Sequence, residues 1–215
     1  MTTSLTLSAA PSPDRAFTII LGVITTAWLL AVVAGATSGF FASLYSPLIA
    51  GIVAVTIILP VGWYFTSPRF QAWADALGHR PILAFHVWRV PAALLFFWYG
   101  AHGQLPPLFW ILAGAGDLAA GLIAAFVLSR PPSARATFGF HVFGFLDLVV
   151  AVGTGLAYSL LLDPRMAPIT VLPLALIPLF GVGISGASHI IAFDMLRRVT
   201  GFGPPGTVHG HRKPA

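Results

Sequence analysis

Residues Pro81–Ala101 read PILAFHVWRVPAALLFFWYGA. At 1.5 Å of helical rise per residue, a bilayer core takes about 20 apolar residues, and this stretch meets that length. It nevertheless carries His86 and Arg89 well inside its ends. An arginine facing lipid near the middle of a span costs about 2.5–3.5 kcal/mol on insertion scales. Arg89 must therefore meet protein, water or a counter-charge, and the other helices have to supply it.

Composition extends that reading to the whole chain. Of 215 residues, 57% are hydrophobic and only 8% charged, with a mean hydropathy of +0.90. A soluble domain is about one quarter charged, so this is a membrane composition. The net charge of +5 is no sign of nucleic-acid binding, because the basic residues are scattered between apolar spans instead of forming a stripe. Cysteine is absent, which removes disulfides, thiolate ligands, iron–sulfur clusters and cysteine nucleophiles. The only lysine is Lys213, which excludes an intramembrane Schiff base. No phosphate-binding loop or nucleophile elbow is present, which argues against ATP use and serine-hydrolase chemistry.

The pattern predicts an all-α polytopic membrane bundle. A polar N-terminal tail covers residues 1–15, and a basic tail covers 197–215. Six spans lie between them, at about 16–36, 46–66, 81–101, 108–129, 138–162 and 169–196. Trp63 and Tyr64, and again Trp98 and Tyr99, stand at span ends as interfacial anchors. In the 67–80 connection, Phe70, Trp73 and Leu77 recur at helical spacing, which predicts a short amphipathic helix on the membrane surface. Arg15, Arg69, Arg80, Arg130, Arg135, Arg197, Arg198, Arg212 and Lys213 fall on one side of such a bundle, and Arg165 alone on the other. The positive-inside rule then places both termini in the cytoplasm, with the bacterial inner membrane as the expected location.

Helical rise also gives depth. His86, His141 and His189 lie about 5–10 Å from the cytoplasmic face, on three different spans. Arg89 lies about 10–12 Å in, and Asp117 and Asp147 about 13–14 Å from a span end, near the midplane. Two levels are expected, a lower one of three histidines and an upper one of one arginine and two aspartates. The upper level carries a charge of −1, or none once one carboxylate is protonated, which is the basis of a proton relay. The lower level has the donors for a divalent metal, or, with two histidines facing each other, for haem b. In the sixth span, Pro178, Gly181, Gly183 and Gly186 predict a helix break just above His189, with a cavity beside it. Asp194 precedes Arg197 and Arg198 by three and four residues, the spacing of a surface ion pair. His209 and His211 form a His-Gly-His step in the tail.

Several stretches carry a family resemblance. They are His86-Val-Trp-Arg-Val-Pro91, Leu105-Pro106, Gly116-Asp117-Leu-x-x-Gly121, and Leu172-Pro-Leu-x-Leu-Ile-Pro178 followed by His189. Over about Ala84–Leu196 the chain resembles a widespread group of uncharacterised bacterial six-span membrane proteins. The resemblance implies the architecture, and Arg89, Asp117 and His189 as a set, but no activity. Three functions stay open. One is a small transporter or proton- or ion-translocating protein built on Arg89, Asp117 and Asp147. Another is a haem- or metal-dependent membrane oxidoreductase or hydrolase using His86, His141 and His189. The third is a structural subunit of a membrane complex or homo-oligomer. In all three the lipid bilayer is the surrounding partner.

Overall fold

The computed structural model describes residues 12–200. Among these residues every regular element is helical, and six helices are long and apolar enough to cross a membrane. Most of the N-terminal tail and the His209/His211 step lie outside the described residues. The chain begins with α1 (Arg15–Thr37). Asp14 caps it, accepting hydrogen bonds from the backbone of Ala16 and Phe17, and it also pairs with Arg69. That guanidinium and the helix N–H groups hold the Asp14 carboxyl below the usual carboxylate range. The cap therefore persists at neutral pH and is lost only as pH falls through that lowered value.

A short turn, α2 (Phe40–Ser43), leads to α3 (Pro47–Thr66). The amphipathic segment forms α4 (Pro68–Leu77), with Phe70 and Ala74 buried beneath it. Gly78, at φ 73°, reverses the chain into the third span; a side chain there would be strained. That span is α5 (His79–Phe85), a 3₁₀ turn over His86–Trp88, and α6 (Arg89–Ala101). The opening stretch is thus jointed where a single helix was expected. Pro91 is the cause, since it has no N–H for the carbonyl four residues back and its ring crowds that carbonyl. Side chains three apart eclipse in a 3₁₀ turn, so His86 and Arg89 both point into the bundle. Next come α7 (Pro107–Leu128) and α8 (Ala134–Leu160).

The sixth span differs most from the sequence expectation. Residues Pro164–Thr170 form a 3₁₀ segment, and no transmembrane helix starts at 169. A π-helical turn over Ile177–Gly181 opens the span, and α9 (Val182–Thr200) continues it past Arg197 and Arg198. Proline at the start of a helix costs nothing, because that N–H has no partner to lose. Pro178 therefore marks the head of the helix, and Gly183 and Gly186 lie within regular α-helix. The glycines serve packing: a Cβ on Gly181 would collide with Trp88, one on Gly183 with Thr56 and Trp28, and one on Gly186 with Ile57.

Burial separates a centre from a rim. In its most apolar window the sixth span is 67% buried and the first only 11%. The exposed residues on α1, α3 and α8 include Ile19, Val23, Leu30, Ile58, Leu59, Leu146 and Val149. An apolar surface of that extent is lipid-facing. Apart from Arg165 and the buried Arg89, the described basic residues gather at one end of the bundle. There Arg69 meets Asp14, Arg80 donates to the Leu128 carbonyl, and Arg198 bridges Asp75 and Asp194. Tyr64 is fully buried against this last pair. Its hydroxyl donates to Asp194 at 2.8 Å and accepts from Arg198 at 2.7 Å. Tyr64→Phe removes both bonds and is expected to lower stability by about 1–2 kcal/mol, read as a drop in Tm in detergent.

Candidate functional site

The site forms where the third, fourth, fifth and sixth spans meet. Arg89, at the head of α6, is fully buried. Its Nε donates to Asp117 on α7 at 2.6 Å. Its Nη2 donates to Asp147 on α8, and its Nη1 donates to the Gly144 carbonyl at 3.2 Å. Each carboxylate side chain is 8% exposed. Every guanidinium nitrogen therefore has an acceptor, and the group carries two carboxylates against one cation.

Small residues make this convergence possible. A Cβ on Gly116 would collide with the Asp147 carboxylate, and one on Gly121 would stand 3.0 Å from the Val90 backbone nitrogen. Glycine at both positions brings α7 against α6 and leaves room for Asp147 from α8.

The three histidines form the second level, and each is fully buried. His141 Nδ1 and His189 Nδ1 are 2.8 Å apart. The His86 ring stacks on His189 with centroids 4.2 Å apart. His86 Nε2 lies 3.0 Å from Ser188 Oγ, and Ser188 Oγ donates to the Ser185 carbonyl. Phe140 and Phe193 pack around the rings. One ligand nitrogen from each histidine lies within 4.8 Å of the others, so the group could hold a metal ion. His86 Nδ1, His141 Nε2 and His189 Nε2 are buried without a hydrogen-bond partner. A haem does not fit between His141 and His189 as arranged. Two axial bonds of about 2 Å each and a porphyrin slot between the rings are needed, and here nitrogen faces nitrogen at 2.8 Å.

Gly144 joins the levels. A Cβ there would stand 2.8 Å from His189 Nε2 and 3.2 Å from Arg89 Nη1. These two nitrogens are therefore no farther apart than the sum of those distances, within reach of one bridging water. His141, Gly144 and Asp147 share one face of α8 at steps of three. That spacing is visible in the sequence, whereas the gap that Gly144 leaves between the levels is not. Ser188 is also new as a partner of His86, and so is His79. The His79 ring lies 6.4 Å from His141, and its Nδ1 is buried and unpaired. An apolar cavity of about 730 Å³ reaches Ser188, walled by α1, α3, α4, α5 and α9. Of the Pro178–Gly186 stretch only Ile184 lines it, so the expected break is not what opens it.

Fold and site together define a multi-pass helical membrane protein with a buried Arg–Asp₂ ion cluster set beside a histidine cluster. The chain belongs to the family described as Domain of unknown function (DUF8737), whose model matches residues 45–197. That range includes all six of the charged and histidine residues above. No curated protein and no solved structure matches the chain.

Proposed function

We propose that this protein moves a proton or small ion across a bacterial inner membrane, with both termini in the cytoplasm. The route would pass through the Arg89, Asp117 and Asp147 cluster. The observation that carries this reading is the surplus carboxylate: two acids share one buried guanidinium. An uncompensated charge in the apolar interior is costly, so one added proton or cation neutralises the cluster. Departure of that proton or cation resets it. Gly144 extends the polar path towards the histidines, and the one-sided arginine distribution supports the orientation.

Reconstitution into liposomes with an entrapped pH dye tests the proposal. Asp147→Asn leaves one arginine facing one aspartate, a neutral pair that is expected to fold. It is expected to lower proton flux, driven by a pH gradient or a potential, by tenfold or more, since each lost 1.4 kcal/mol of barrier lowering is a factor of ten. Equal flux in wild type, Asp117→Asn and Asp147→Asn would sink the transport reading. The anchoring of all three Arg89 guanidinium nitrogens favours a second reading, in which the cluster only locks the helices of a membrane-complex subunit, and that outcome would select it.

A further inference from the structure

We infer that His86, His141 and His189 form a site for a divalent transition metal of the Zn²⁺ type, with three neutral imidazoles and an open fourth position. This goes beyond the proton route and does not depend on it, since its donors are the three imidazoles and not Arg89 or its carboxylates.

The ring nitrogens carry the argument. Buried polar atoms without a partner are rare in native proteins, and a bound ion is one of the few physical reasons for them. Here each of the three fully buried rings carries one, and His86 Nδ1 is the one that the site takes as a ligand. The Ser188 hydroxyl has one hydrogen, which goes to the Ser185 carbonyl. With that hydrogen on the Ser185 carbonyl, the contact with His86 Nε2 is assigned as a bond that His86 donates. The proton sits on Nε2, and the unpaired Nδ1 presents a bare lone pair. This is the outer-shell arrangement of metal-binding histidines, in which the second nitrogen donates to a fixed acceptor and sets the tautomer. The facing Nδ1 atoms of His141 and His189 can share only one proton when both rings are neutral. With that proton moved to Nε2 of its own ring, a cation between the two Nδ1 atoms meets two lone pairs. At bonds of about 2.0–2.1 Å, tetrahedral ligands stand about 3.3 Å apart. The present spread of up to 4.8 Å closes to this by ring rotation and shifts of about 1 Å.

Charge and chemistry agree with the assignment. Imidazole-only donors suit Zn, Cu, Ni or Fe and are wrong for Mg²⁺ or Ca²⁺, which take oxygen. Arg89 is the nearest cation, and its two carboxylates outweigh it, so the adjoining level offsets part of the ion's charge. His79 carries a further unpaired nitrogen on the ring beside His141.

The test uses the full chain in detergent, stripped with a chelator and titrated with Co²⁺ and then Zn²⁺. One Co²⁺ per chain with tetrahedral d–d bands, displaced by one Zn²⁺, is expected, with a rise in Tm. X-ray absorption on the wild-type zinc form should count three imidazoles. Ser188→Ala keeps all three rings and should weaken binding about tenfold to a hundredfold. His141→Gln and His189→Gln should abolish the Co²⁺ bands. His209→Ala with His211→Ala should leave binding intact. Absence of stoichiometric binding in folded wild type overturns the inference. So does an imidazole count below three, or binding that is lost with His209 and His211. Loss of proton flux in Asp147→Asn with metal binding retained would leave both readings standing, each on its own measurement.

Discussion

Arg89→Leu is expected to yield no monodisperse protein in detergent. Removing the guanidinium leaves Asp117 and Asp147 facing each other among apolar helices, and the Gly144 carbonyl loses its side-chain donor. Breaking a buried pair by deleting one partner costs about 3–5 kcal/mol, a large part of a typical total stability of about 5–15 kcal/mol. The companion variant carries leucine at 89, 117 and 147 together. Replacing a whole buried ion cluster with apolar side chains is often neutral or stabilising, so the triple variant is expected to recover a single symmetric peak in size exclusion and a Tm near wild type. If Arg89→Leu alone folds as well as wild type, the cluster is not as dry as its burial indicates. Flux through the triple variant then separates the two readings of the cluster: a structural lock tolerates the exchange, and a carrier does not.

Gly144→Ala is the second large effect. The added methyl would stand 2.6 Å from His189 Cε1 and 2.8 Å from its Nε2, closer than real side-chain contacts allow. His189 is held by the His86 stack and the His141 contact, so it has little freedom to give way. Overpacking of this kind costs about 1–3 kcal/mol. The functional effect should be larger than the stability effect, because the methyl pushes apart the two levels that Gly144 joins. Gly139 and Gly153 on the same helix supply the control. A Cβ at either meets nothing within 4 Å, so alanine there should be neutral or stabilise α8 by up to about 1 kcal/mol through helix propensity. A scan in which all three alanine variants behave alike would remove Gly144 from the site.

The route from sequence to site was direct for the ionic level and indirect for the rest. Arg89, Asp117 and Asp147 stand out because charge is rare in apolar spans, and depth along each helix follows from a constant rise. Depth alone left their facing undetermined. The 3₁₀ joint at His86–Trp88 turns His86 and Arg89 inwards, and its cause, Pro91, is in the sequence. Its consequence for direction depends on which neighbour α6 packs against. The glycines tell the same story. Gly116, Gly121 and Gly144 are ordinary residues in an apolar, glycine-rich alphabet until the side chain that occupies each gap is known. The run from Pro178 to Gly186 has the composition of a break, yet it packs as the start of a helix around Trp88, Trp28 and Ile57. Composition records the absence of side chains there and not what fills the space.

By itself, the sequence determined that this is a multi-pass helical membrane protein, because lipid demands about twenty apolar residues per span and internal satisfaction of every backbone group. It also determined that Arg89 needs partners, because a lone buried charge is too costly to persist. Only the tertiary structure decided that one guanidinium takes both aspartates, that Ser188 orients His86, and that Gly144 places the two levels side by side. Those facts depend on the rotation and close approach of helices, which are set by packing among residues far apart in the chain. The opening stretch, Pro81–Ala101, is the element on which the two kinds of information meet. Its composition calls for counter-charges, and the joint at its centre aims His86 at the histidines and Arg89 at the aspartates.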